Sequence, residues 1–197
     1  STIGDSAFYF ARTVSTVVLP PSLTYLGQMA FFNTGISSLT FLEGSRLENI
    51  GYRTFYQNLS LTSLTLPGSV KTIGEEAFAN CQRLTDITFS EGLTEIGKKS
   101  FYYSRVTELV FPDSLRSIGE GAFSSNSSLQ TVVLNEGLLS IGASAFNMGR
   151  SLTGSVSINI PASVETFGEA IFSDYKPIAE IRTDNQEFLD TLPNQSW

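Results

Sequence analysis

The chain has 197 residues, 41% of them hydrophobic, with twelve Lys and Arg against nineteen Asp and Glu, one Cys and no His. A formal charge of −7 with scattered cations disfavours nucleic acid and anionic membrane surfaces, which need clustered positive charge to displace counterions. No apolar run approaches the roughly 20 residues of a membrane span, histidine-based acid–base and metal chemistry has no residue to use, and the lone Cys81 excludes an internal disulfide.

The first element is already the repeating one. The chain opens at Ser1, three residues ahead of Gly4, with no secretory signal; that start reads as falling inside a repeat, so the N-terminal repeat is expected to be truncated. Glycine then recurs as Gly4, Gly27, Gly51, Gly74, Gly97, Gly119, Gly142 and Gly168. Four residues after each comes Phe8, Phe31, Phe55, Phe78, Phe101, Phe123, Phe146 or Phe172. Steps of 22 to 24 residues, widening to 26 at the last, mark a solenoid of about eight ~23-residue repeats. In such a fold no repeat can bury its apolar face alone.

Within a repeat the elements follow a set order, clearest in the fourth. Ile73-Gly74-Glu75-Glu76-Ala77-Phe78-Ala79-Asn80-Cys81 holds good helix formers between a Gly and an Asn. That predicts a helical or 3-10 return of one or two turns, with Gly74 turning the backbone and Ala77 and Phe78 facing inward. Leu84-Thr85-Asp86-Ile87-Thr88-Phe89 then ends in strand-like alternation. Its apolar positions recur as Val14/Val17/Leu19, Ile36/Leu39/Phe41, Leu61/Leu64/Leu66, Val106/Leu109/Phe111 and Leu129/Val132/Leu134. Pro20, Pro67, Pro112 and Pro161 each stop a strand, because proline lacks the N–H that a ladder requires. Ser22, Ser69, Ser114 and Ser163, or Gly92 and Gly137, supply the turn. One lap per repeat stacks the strands in parallel about 4.8 Å apart, with right-handed crossovers.

The last part of the chain departs from the pattern. An insertion near Gly154 moves the seventh strand to 156–160. Asp184 to Leu192 reads as a short amphipathic helix stopped by Pro193. Residues 184–197 are therefore expected to form a C-terminal capping segment over a repeat domain of residues 1–183.

The recurring pattern L-x-x-[ILV]-x-[LF]-P-x-S-[VL]-x-x-I-G-x-x-A-F-x-x-C resembles the BspA-like leucine-rich repeat. Here Leu84 to Phe89, Pro67 to Val70 and Ile73 to Cys81 carry it, and the resemblance runs from residue 3 to about 183. Departures are Thr54 and Ser100 for Ala, and Leu26 and Phe167 for Ile. Cys81 alone keeps the Cys, its equivalents being Ala11, Thr34, Asn58, Ser104, Asn126, Gly149 and Tyr175. The resemblance implies an α/β solenoid, a right-handed leucine-rich-repeat superhelix with a parallel sheet on its concave face and short helical turns on the convex side. It also implies a secreted or cell-surface protein, with a protein or glycan ligand such as an extracellular-matrix protein, and no shared catalytic residues or cofactor.

Two rows of residues are candidate sites. The positions flanking each buried strand residue, which in this family form the concave face, are Thr16, Val18, Ser38, Thr40, Ser63, Thr65, Asp86, Thr88, Glu108, Val110, Thr131, Val133, Ser157 and Asn159, followed by Glu180 and Arg182. Hydroxyl and β-branched residues suit a strand in any case, so a plain sheet surface and a weakly charged docking face both fit. An aromatic stripe one residue past the Phe column comprises Tyr9, Phe32, Tyr56 and Tyr102, with Tyr103 beside it. It fits either packing against neighbouring returns or contact with a sugar or protein. Cys81 reads as a small buried filler with no His to activate it, and Glu75, Glu76 and Asp113 as solvated turn charges. No carboxylate pair recurs in a spacing suited to glycoside cleavage. The reading is a non-catalytic, adhesin-like binding module. The alternatives are a scaffold or targeting domain of a larger protein and, more remotely, a polysaccharide-acting enzyme.

Overall fold

Each lap of the chain lays down two strands rather than one, and every strand pairs in parallel with its counterpart one lap away. The computed structural model describes residues 1–147, 156–172 and 178–186. In chain order the strands are β1 (Thr2–Ile3), β2 (Thr16–Leu19), β3 (Tyr25–Leu26), β4 (Ser38–Phe41), β5 (Asn49–Ile50), β6 (Ser63–Thr65), β7 (Thr72–Ile73) and β8 (Asp86–Thr88). They continue as β9 (Glu95–Ile96), β10 (Glu108–Val110), β11 (Ser117–Ile118), β12 (Thr131–Val133), β13 (Ser140–Ile141), β14 (Val156–Ile160), β15 (Thr166–Phe167) and β16 (Ile178–Thr183).

The even-numbered strands are the expected ones, and their register is in phase. Thr16, Val17, Val18 and Leu19 face Ser38, Leu39, Thr40 and Phe41. Ser63, Leu64 and Thr65 face Asp86, Ile87 and Thr88. β10, β12, β14 and β16 make one four-stranded sheet, with a register shift at Val156/Ser157. The ladder is interrupted between β4 and β6 and again between β8 and β10. The odd-numbered strands build a second, narrower surface, in which β5 to β15 form a single six-stranded sheet and β1 pairs with β3. In most of these an aliphatic residue goes inward, as Leu26, Ile50, Ile73, Ile96, Ile118 and Ile141 do, and its partner stays at the surface. Between the two sheets the chain makes a tight turn closed from the strand-ending residue: Leu23 N–H donates to Pro20 O at 3.0 Å and Val70 N–H to Pro67 O at 3.1 Å. The serines of these turns also tie laps together, since Ser69, Ser114 and Ser163 donate to the carbonyls of Leu47, Leu93 and Leu138 one lap back.

The return segment corrects the helical expectation. From each Gly to just past its Phe the chain is a run of turns. Two residues four apart take positive φ in nearly every copy: Met29 and Asn33, Arg53 and Gln57, Glu76 and Asn80, Lys99 and Tyr103. A left-handed residue breaks an α-helix, and the N–H groups here have better partners elsewhere. Arg53, Phe55 and Gln57 donate to the carbonyls of Glu75, Ala77 and Ala79, one lap ahead, at 3.0, 2.8 and 2.8 Å. The same three bonds recur from lap to lap, so alternate N–H groups are satisfied between laps, and those between them by turns within a lap, as Tyr56 N–H donates to Arg53 O at 3.2 Å. The eight Gly-to-Phe segments bound about seven turns, one fewer than the repeat count expected from the sequence.

The core is the column these turns enclose. All eight phenylalanines stack, with successive ring centroids 4.9 to 6.1 Å apart and no pair tilted by more than 15°. Phe8, at the open end, is 40% exposed; Phe31 to Phe172 are buried. Stacked pairs at this spacing add about 0.5–1.5 kcal/mol to what area burial contributes. The glycine column serves this packing by size rather than by turning the chain, since none of its members has positive φ. A Cβ on Gly119 would lie 2.7 Å from the main chain of Gly97 and of Lys98, and one on Gly97 2.7 Å from the oxygen of Ile73. The insertion near Gly154, the side chains of Glu180 and Arg182, and all but the first residues of the expected lid over 184–197 lie outside the described residues.

Candidate binding face

Period-2 alternation on the even-numbered strands sends Val17, Leu39, Leu64, Leu109, Val132 and Ile158 into the core, each 8% exposed or less. The residues on either side point outward. Thr16, Val18, Ser38, Thr40, Ser63, Thr65, Asp86, Thr88, Glu108, Val110, Val133 and Ser157 are exposed, and Thr131 and Asn159 half-buried. Pairing aligns Thr16 with Ser38 and Val18 with Thr40, and, past the break between β4 and β6, Ser63 with Asp86 and Thr65 with Thr88, so that equivalent positions form two rows. Beyond the gap, Glu108, Thr131 and Ser157 continue the first row and Val110, Val133 and Asn159 the second. The fourteen positions expected from the sequence thus share one surface.

Among the described side chains of these rows the charged ones are Asp86 and Glu108. Asp86 on β8 and Glu108 on β10 hold the same row position on strands that no ladder joins. At that gap lies a depression of about 370 Å³, lined by Thr85, Asp86, Ile87, Thr88, Phe89, Thr107, Glu108 and Val110. Ile87 is only partly buried, unlike its counterparts on the other strands. Asp86 Oδ2 accepts the Thr85 hydroxyl at 2.6 Å. Sequence periodicity gives no sign of this gap; the adjacent acids were the one available signal.

The aromatic stripe divides. Tyr9, Phe32 and Tyr56 stack on one another, with both centroid distances 4.9 Å. Phe32, the middle ring, has both faces covered by its neighbours and offers mainly an edge. Tyr56 also accepts Asn80 Nδ2 at 2.9 Å and lies under the Arg53 guanidinium, which covers Tyr52 as well. Glu76 holds Arg53 there with a 2.7 Å ion pair, and that hydrogen bond raises the pKa of the guanidinium further. Glu76 is therefore a partnered residue and no free turn charge, whereas Glu75 and Asp113 are exposed. Ala79 interrupts the row, and beyond it Tyr102 sits 6.1 Å from Tyr103, which is 47% exposed.

Cys81 is fully buried, and burial pushes its thiol up to about 12, out of range for a nucleophile. Its Sγ faces the Phe55 carbonyl at 3.4 Å. The equivalents Asn58 and Asn126 do more. Asn126 Nδ2 donates to Phe123 O and, one lap back, to Phe101 O, both at 2.9 Å. Thr34 caps Asn58 through its hydroxyl. The sequence shows these positions only as small or polar.

Comparison with known proteins follows the same geometry. A family model described as BspA type leucine rich repeat region matches residues 1–57 and 48–179, in six copies. A leucine-rich repeat protein from Bacteroides ovatus superposes with a TM-score of 0.70 at 26% identity, over 92% of this chain and 54% of its own. A leucine rich cell surface protein from Faecalibacterium prausnitzii gives 0.57 at 21% identity, over 92% of this chain and 64% of its own. The T. pallidum leucine rich repeat protein gives 0.56 at 25%, over 78% and 68%. The chain thus spans about half to two thirds of the length of these structures. No curated protein sequence matches it. No helix among the described residues is long and apolar enough to cross a membrane.

Proposed function

The chain belongs to the BspA-type leucine-rich repeat family, and from that premise we propose that it is a non-catalytic binding module docking a protein or glycan on the outward face of its even-numbered strands. The observation that carries this reading is the face itself: two aligned rows of short hydroxyl and aliphatic side chains over a rigid, fully packed spine. Such a surface is broad, holds its shape before binding and loses little side-chain entropy on contact. A secreted or cell-surface setting, with an adhesin-like role toward a matrix protein or glycan, accords with the family and with the description of the F. prausnitzii relative as a cell surface protein. A second reading, a scaffold domain within a larger protein, draws on the chain spanning 54% of the B. ovatus relative.

The test is a matrix-protein and glycan-array screen followed by a triple variant, Thr40→Lys, Thr65→Lys and Val133→Lys. All three are exposed, so the fold should survive and binding should be lost. Undiminished binding with the three lysines in place overturns the face as the docking surface.

A further inference from the structure

We propose that the depression between β8 and β10 receives a basic side chain of a protein partner, an inference that rests on the docking reading above and names the chemistry at its centre. The cavity of about 370 Å³ lies where the long-strand ladder is interrupted, and among the described side chains of the rows it holds the charged ones. Asp86 and Glu108 both line it, at the same row position on neighbouring strands. Like charges on neighbouring strands repel and cost stability, so the pair gains when a cation is set between them.

No cation of this chain fills that role among the described residues. The ion pairs among the described residues are Arg53–Glu76, Lys71–Glu48 and Lys98–Glu120, and none of the six lines the depression. Asp86 has the Thr85 hydroxyl for company. The floor adds a second, independent requirement. Ile87 is half-buried where Val17, Leu39, Leu64, Leu109, Val132 and Ile158 are 8% exposed or less, and Val110 beside it is 53% exposed. An aliphatic floor below two carboxylates matches a lysine, whose methylene stem covers apolar surface while its ammonium stays at the charged rim. Thr88 and Thr107 also line the depression, and a threonine hydroxyl can accept a remaining ammonium proton. A sugar would lack an aromatic platform, because the only ring in the lining, Phe89, is 9% exposed and turned into the core. Position strengthens the case: the cavity sits midway along the rows, and the strongest contacts of an interface gather near its centre, ringed by neutral ones.

The experiment needs no natural partner. The whole chain, isotope-labelled, is titrated with a blocked pentapeptide carrying one central lysine and with its glutamine twin, following methyl and amide resonances. Saturable shifts at Ile87, Val110, Thr88 and Thr107 are expected with lysine alone. They should weaken about fivefold in the double variant Asp86→Asn, Glu108→Gln and fade as salt rises from about 20 to 200 mM. Unchanged Phe78 and Phe101 resonances confirm that the double variant is folded. Equal shifts from the glutamine twin, shifts spread evenly over exposed acids such as Glu43 and Glu165, an unaffected double variant, or stronger shifts from calcium chloride alone each overturn the proposal. Failure here leaves the docking face standing, because Thr40, Thr65 and Val133 lie outside the cavity lining; failure of the triple lysine variant strikes the face itself.

Discussion

The side-chain amide of Asn58 donates to the main-chain oxygen of Phe31, one lap back, at 2.8 Å and without solvent exposure. The same amide donates to Phe55 O, also at 2.8 Å, so one side chain pins two turns where the cross-lap ladder leaves carbonyls unpaired. Removing it strands the Phe31 oxygen in the core and leaves the Phe55 oxygen only the weak Cys81 S–H contact. Asn58→Ala should therefore cost about 2–4 kcal/mol. Cys81→Ala at the equivalent place loses a weak S–H contact and a small volume, about 1 kcal/mol. Urea denaturation of the two variants side by side checks the contrast, and equal losses would remove the amide's role.

The ring column predicts a gradient. Phe78, stacked on both sides and fully buried, should cost ~3–5 kcal/mol on replacement by alanine. Phe8 is 40% exposed and stacks on one face, so Phe8→Ala should cost roughly 1–2 kcal/mol. Denaturant midpoints at constant m-value measure both.

Glycines of one column should respond differently to the same methyl group. Gly119→Ala drives a Cβ to 2.7 Å from the Gly97 and Lys98 main chain, where neither neighbour can rotate away; a loss of about 1–3 kcal/mol follows. Gly4→Ala meets nothing within 4 Å and should stay within about 0.5 kcal/mol of the parent. Thermal unfolding distinguishes them, and a neutral Gly119→Ala contradicts the close approach.

Cys81 gives stability a pH dependence of known sign. Burial raises its pKa to about 12 from the ordinary thiol value of 9.0, so between those values the folded chain keeps a proton that the unfolded chain has released. Stability then falls as pH rises through this window, and is unaffected by Cys81 below it. Between pH 8 and 10.5 the urea midpoint should drop less steeply in Cys81→Ala than in the parent. Alkylation of the native thiol at pH 8 should track unfolding.

Much of the fold was legible in the chain. The Gly–Phe period, the buried strand positions and the proline stops each follow from a local pattern, and the outward rows follow from the alternation at Leu84 to Phe89. The return segment was not. Glu75, Glu76, Ala77 and Phe78 are sound helix formers in isolation, and what prevents a helix is the offer of carbonyls from residues 98 to 102. Local propensity contains no term for a partner about 23 residues away. The glycines were misread for the same reason: their freedom of conformation is visible in sequence, whereas the nearness of the preceding lap is not. At the face, the identities of Asp86 and Glu108 were plain, but the interrupted ladder between them depends on strand placement, which an unbroken period conceals.

The three forward-reaching bonds of each return have a consequence for how such a chain can change in length. Each lap shows its predecessor the same carbonyls and its successor the same N–H groups, so the molecule behaves as a one-dimensional lattice whose unit cell is a lap. Excising residues 74–96 would bring Gly97 and Phe101 into the seats that Gly74 and Phe78 vacate, with every donor facing an acceptor of the right kind. Excising any fraction of a lap would leave the bonds out of step from there onward. Growth and shrinkage by whole cells therefore alter the extent of the surface, and which side chains stand on it, while leaving the backbone bonds between laps in step.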